Sequence, residues 1–205
     1  MAAPPSGGAA GAPAEPSTNG VVFWPVAVAV FLADLITKAL AAAALWPRGL
    51  PHPVLGDGVR LTLVYNPGAA FGLHLGPHSR WLFLALTAAV LRVLWRLYRR
   101  TRDRDNVRTV ALALLCAGAV GNAVDRVRSS EGVIDFIDLG IGALRWPTFN
   151  LADVAVTGGA ALLAWVLWGA DDADGVASAL QRAPAPGSPA HTPAPPRMGG
   201  SADPA

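Results

Sequence analysis

Four stretches of the chain are apolar for long enough to cross a bilayer, and most polar residues fall between them or at their ends. The pattern predicts spans over residues 21–45, 81–98, 107–125 and 151–170. Between the first two spans, residues 59–73 read "VRLTLVYNPGAAFGL", an alternation of apolar and polar positions that runs into an Asn-Pro-Gly turn signal. Between the last two, residues 132–142 read "GVIDFIDLGIG", apolar enough to lie on a membrane surface or to pair as short strands. The expected fold class is therefore an all-α polytopic membrane protein, four transmembrane helices with a small extracytoplasmic β/loop cap. The membrane domain is expected over residues 21–170. Residues 1–20 and 171–205, rich in Ala, Pro and Gly, are expected to be disordered tails.

Composition agrees with this pattern. Charged residues make up 15% of the 205 and hydrophobic ones 53%, where a soluble domain carries about 25% charged. A net charge of +2 suggests nucleic acid only until the arginines are placed. Arg92, Arg96, Arg99, Arg100, Arg102, Arg104 and Arg108 occupy one short segment from the end of the second span to the start of the third. That is a cytoplasmic loop by the positive-inside rule, which removes the nucleic-acid reading and puts both tails in the cytoplasm. The first tail lacks the basic start of a secretory signal, so the first apolar run is expected to be a retained span. The one cysteine, Cys116, lies in mid-span, excludes an intramolecular disulfide and reads as a packing residue.

This topology gathers polar residues at the outer interface. Asn122, Asp125 and Arg126 close the third span, Asp135 and Asp138 sit in the following loop, and Asn150 and Asp153 open the fourth span. Several carboxylates at one membrane depth are costly unless paired, hydrogen-bonded or functional. Simpler roles exist for each. Asn150 and Asp153 suit a helix N-cap and first turn, where the helix dipole favours negative charge. Asp125 and Arg126 suit an interfacial ion pair, and Asp135 and Asp138 suit solvated loop charges. Asp34 and Lys38, four apart in the first span, suit an internal pair. Taken together, the acids also suit a coupled carboxylate pair that shares one proton and activates water. Asp153 would be one member, with Asp125 or Asp135 as its partner.

Other chemistries lack their residues. No nucleophile-elbow serine or HExxH motif is present, and His52, His74, His78 and His191 are too scattered to predict a metal site or cofactor. An ion transporter would spread ionisable groups along a path, whereas these cluster at one face. A membrane scaffold would explain the spans but not the convergence of two Asn–Asp elements.

The motifs, taken in order, resemble a known family. Asp34, Thr37 and Lys38 in the first span, "YNPGAAFG" at 65–72, "GNAVDR" with "GVIDFID" at 121–138, and "FNLAD" at 149–153 resemble lipoprotein signal peptidase, the bacterial signal peptidase II. The resemblance covers residues 31–153 and implies a four-helix aspartyl protease of the cytoplasmic membrane. It implies cleavage of diacylglyceryl-modified prolipoproteins on the N-terminal side of the lipidated cysteine, with membrane lipid around the substrate and the enzyme acting as a monomer. It assigns catalysis to Asp135 and Asp153. Asp125 becomes a supporting aspartate, and Asn66, Gly68, Asn122, Arg126 and Asn150 resemble residues that line the site and hold the peptide. Asp34 and Lys38 match a supporting first-span pair.

Overall fold

The computed structural model describes residues 18–68 and 78–182. Four helices dominate: α1 (Asn19–Ala44), α2 (Ser79–Arg99), α3 (Asn106–Arg128) and α4 (Leu151–Arg182). Each contains a segment long and apolar enough to cross a membrane. The outward stripe of α1, including Val28, Leu32, Ile36 and Leu40, is exposed, while Asp34, Lys38 and Ala41 are buried. This is the arrangement that hydrocarbon imposes, since a charge inside a span must face the bundle. Helices α1 and α2 both pack against α3.

Between the helices lies an antiparallel sheet ordered β1 (His52–Leu55), β2 (Val59–Asn66), β3 (Val133–Ile141) and β4 (Leu144–Arg145). The expected fold class, four membrane-spanning helices with a small β cap, is the one observed. In the central pair Val64 lies opposite Asp135 and Asn66 opposite Val133, with a bulge in β2 between Leu61 and Val64. Gly132 makes the close approach at the start of β3 possible. Its φ is +108°, and a Cβ there would run into the Asn66 carbonyl. Leu63 and Phe136 of the sheet pack with Ala41 and Leu45 at the end of α1, which seats the cap on the bundle.

Two boundaries differ from expectation. Helix α3 runs to Arg128, so Asp125 and Arg126 lie within the helix, not at its end. Helix α4 continues to Arg182, past the boundary drawn at 170, through a segment without proline; the first proline beyond is Pro184. The two tails otherwise lie outside the described residues.

Candidate active site

The start of α4 organises the site. Asn150 is the residue before the helix, and its Oδ1 accepts from the Asp153 N–H (3.0 Å) while the Asn150 N–H donates to Asp153 Oδ2 (3.2 Å). This reciprocal pair is a capping box with Asn and Asp in place of the usual hydroxyl and Glu, and it consumes first-turn amides that have no helical partner. The next amide, Ala152, donates to Asp34 Oδ1 at 2.9 Å, so a second carboxylate reaches the positive end of the helix dipole from α1. The expected cap role of Asn150 and Asp153 is thus realised, and Asp34 extends it.

Strand β3 delivers the other aspartate. On one edge β3 pairs with β2. On the other, the Phe136 and Ile137 N–H groups both donate to the Phe149 carbonyl, and the Phe149 N–H donates to Ile137. Phe149 is therefore stitched to the strand, and Asn150 follows it directly. The Asn150 amide then donates to Asp135 Oδ1 (2.7 Å) and to Asn122 Oδ1 (3.1 Å). Asn122 in turn donates to Asp153 Oδ1 at 2.8 Å. Two asparagine amides, one before α4 and one on α3, thus hold Asp135 and Asp153 in a single network. Both Asn150 amide hydrogens and its Oδ1 are engaged and the residue is 0% exposed. It positions the carboxylates and has no face left for a peptide.

Behind Asn122 lies a buried charge cluster. Lys38 Nζ pairs with Asp34 Oδ2 (2.8 Å) and Asp125 Oδ2 (2.8 Å) and donates to Asn122 Oδ1 (2.9 Å). The anticipated Asp34–Lys38 pair is present, but Asp125 joins it, and the Ile134 N–H also points to Asp125 Oδ2 at 3.3 Å. The expected Asp125–Arg126 ion pair is not formed. Arg126 donates instead to the carbonyls of Asn122 (3.2 Å) and Gly68 (2.9 Å), with its guanidinium over the Phe83 ring. Helix periodicity explains this, because adjacent residues on α3 point about 100° apart. Gly68 is fixed from its other side too, its N–H donating to Asn66 Oδ1 (3.0 Å) while Asn66 Nδ2 donates to Asp135 Oδ2 (3.1 Å). Asn66 therefore closes an Asx turn with one end and clasps a carboxylate with the other.

The two aspartates differ in environment. Asp135 is 2% exposed. Burial pushes its carboxyl up to about 6, and the negative charge of Asp153 adds to this against the hydrogen bonds from Asn66 and Asn150. Asp153 is half-buried, with oxygens that accept only from uncharged N–H groups. A carboxyl raised toward neutrality, held in one hydrogen-bond network with a second carboxylate, has the make-up of a candidate acid–base pair.

Asp138 does not belong to this site. Three residues from Asp135 on a regular strand, it points to the opposite face. There it is clasped by Arg145 (2.8 Å), Thr62 (2.9 Å) and Arg60 (3.1 Å). Burial raises its carboxyl, but these partners outweigh burial and hold it below the usual range. It is neither the solvated charge nor the site neighbour that the loop suggested.

Sequence reading passed over Gly118 and Gly121. A Cβ on Gly118 would strike the Ala152 carbonyl, so this glycine lets α3 close on the first turn of α4, and one on Gly121 would strike Asp34, so that glycine makes room for the α1 carboxylate. Their signal was available as two small residues three apart on one face of a span. Among the described residues, no group of three His, Cys, Asp or Glu is placed to hold a metal ion.

Comparison with known proteins agrees with this geometry. The family model described as signal peptidase (SPase) II matches residues 26–169. The lipoprotein signal peptidase of Paraburkholderia phymatum is 41% identical over 152 residues, covering 73% of this chain and 89% of that protein. That of Pelotomaculum thermopropionicum is 43% identical over 138 residues, covering 67% and 86%. A solved bacterial membrane enzyme superposes with a TM-score of 0.66 at 31% identity, over 75% of this chain and 90% of its own. With the family match spanning most of its length, the chain belongs to the lipoprotein signal peptidase (signal peptidase II) family.

Proposed function

We propose that the chain cleaves diacylglyceryl-modified prolipoproteins on the N-terminal side of the lipidated cysteine, using water activated between Asp135 and Asp153. One observation carries the dyad. The buried Asn150 side chain bonds Asp135 and caps the helix turn that holds Asp153, so the two carboxylates are positioned by one residue. Asp153, at the start of α4, takes a proton from water as the water oxygen attacks the peptide carbonyl carbon. Asp135 gives its proton to the carbonyl oxygen. On collapse of the resulting diol, one hydroxyl returns its proton to Asp135, the C–N bond breaks, and the leaving amine takes the proton held by Asp153. The dyad ends with one proton, as it began.

Asn66, Gly68 and Arg126 form a braced turn beside Asp135 that can hold an extended peptide. Asn122, Asp125, Asp34 and Lys38 fix the carboxylates from behind. The diacylglyceryl chains stay in the bilayer throughout, and the enzyme acts as a monomer in the cytoplasmic membrane with its site near the outer face. The test is signal-peptide release from a lipidated prolipoprotein in liposomes by Asp135→Asn and Asp153→Asn variants. Each is expected to lose about a hundredfold or more in rate. Near-wild-type cleavage by either variant would remove that residue from the dyad.

A further inference from the structure

The end of the molecule opposite the aspartates carries a second feature that proteolysis does not use. Helices α1 and α2 touch there through an aromatic cluster, with Phe23 and Tyr98 ring centroids 4.3 Å apart and Trp24 and Trp95 6.3 Å apart. Within it lies a cavity of about 350 Å³, walled by Trp24 and Phe31 of α1 and Leu91 and Trp95 of α2, and floored by Cys116 and Val120 of α3. Phe31 lies twelve residues from the start of α1, about 18 Å at 1.5 Å per residue. The α1 lining itself runs from Phe23 to Phe31, about 12 Å, so the cleft spans most of one leaflet of a hydrocarbon core about 30 Å thick.

Its mouth is cationic. On α2, Leu91, Trp95 and Arg99 follow one another at intervals of four, so the stripe that lines the cleft ends in a guanidinium. Arg92, Arg96 and Arg99 are exposed along the last turns of α2, and Arg100, Arg102, Arg104 and Arg108 follow in the loop and the start of α3. The two acids nearby have other tasks. Asp103 accepts from the Thr18 N–H and hydroxyl, and Asp105 caps α3 by accepting from the Arg108 N–H. The Arg108 Nε is buried without a hydrogen-bond partner among the described residues, a donor lacking an acceptor at this end.

We propose that this cleft is a binding site for one anionic phospholipid, an acyl chain lying between α1 and α2 and the phosphate held by Arg92, Arg96 and Arg99. Charge and size select this occupant. Secretory signal peptides begin with a basic segment, which seven arginines repel and an anionic headgroup does not. A helix about 10 Å across rising 1.5 Å per residue would fit only about three residues into this volume, whereas a single chain is slim enough to enter. The site is independent of the proteolytic reading, because its lining includes neither Asp135 and Asp153 nor the asparagines hydrogen-bonded to them.

The test uses the full-length protein in detergent, offered an equimolar mixture of phosphatidylglycerol and phosphatidylcholine with identical chains, and native mass spectrometry of what it retains. Phosphatidylglycerol should be enriched about tenfold or more. The R92Q/R96Q/R99Q variant should lose that preference, and Ala117→Phe, which fills the cleft floor, should lose retention of both lipids. Val28→Trp, on the exposed wall, is the second filling variant if Ala117→Phe does not fold. Equal retention of the two lipids by the wild type overturns the proposal, as does a preference that survives the arginine changes. Undiminished retention by a filled cleft would reduce the effect to headgroup adhesion and equally overturn it. Displacement of the lipid by an equimolar signal-peptide helix would give the cleft to the substrate instead.

Discussion

Burial and the neighbouring Asp153 raise the Asp135 carboxyl from 3.8 to about 6, so between those values the folded protein binds a proton that the unfolded chain has released. Stability must therefore fall as pH rises through that window, by up to about 3 kcal/mol from a displacement of about two pH units. Asp135→Asn has no proton to lose there. Thermal unfolding in detergent between pH 4 and pH 7.5 is expected to show the decline in the wild type and its absence in the variant; equal slopes would mean that Asp135 is not the buried acid. At this scale the sequence was only partly legible. The cap formed by Asn150 and Asp153 and the pair of Asp34 with Lys38 follow from spacing along one helix, which local rules describe well. Which of Asp125, Asp135 and Asp138 stands beside Asp153 does not, because it depends on strand parity and on Lys38 having already claimed Asp125.

Among the elements, the contact between α3 and α4 leaves little tolerance. Gly118 faces the first turn of α4 with no room for a methyl group, and Gly159 faces the Ala111 carbonyl. Gly118→Ala should force that turn away from α3, at a cost of about 1–3 kcal/mol typical of overpacking, and should lower cleavage as Asn122 and Asp153 lose register. Gly158→Ala, with open space around it, is expected to be neutral or slightly stabilising by helix propensity. Melting temperature and cleavage rate of the two variants check the contrast, and similar losses in both would remove close approach as the cause. The four helices were readable because long apolar runs leave few alternatives in a bilayer. The stitching of Phe149 to β3 was not, since it is a long-range backbone contact that no local pattern encodes.

At the scale of the whole molecule, charge and polarity divide along the helix axes. The arginine-rich connection between α2 and α3 lies at one end, and the sheet, with Ile141 85% exposed, lies at the other. By the positive-inside rule the arginine-rich end is expected on the cytoplasmic side. In a Cys116→Ala background, Ile141→Cys is expected to react with an impermeant maleimide in intact cells, and Arg102→Cys only after permeabilisation; the reverse pattern would invert the topology. The position of the dyad along this axis has an electrical consequence. Asp153 is the third residue of α4, and Asp135 lies on the sheet outside the spans, so water and protons reach both without passing through the bilayer. A charge carried through the membrane would couple to the transmembrane voltage at about 2.3 kcal/mol per 100 mV. In the proposed reaction none makes that journey, so turnover is expected neither to draw on the voltage nor to respond to it: equal cleavage rates in energised and uncoupled vesicles are the expected outcome, and a voltage-dependent rate would overturn it.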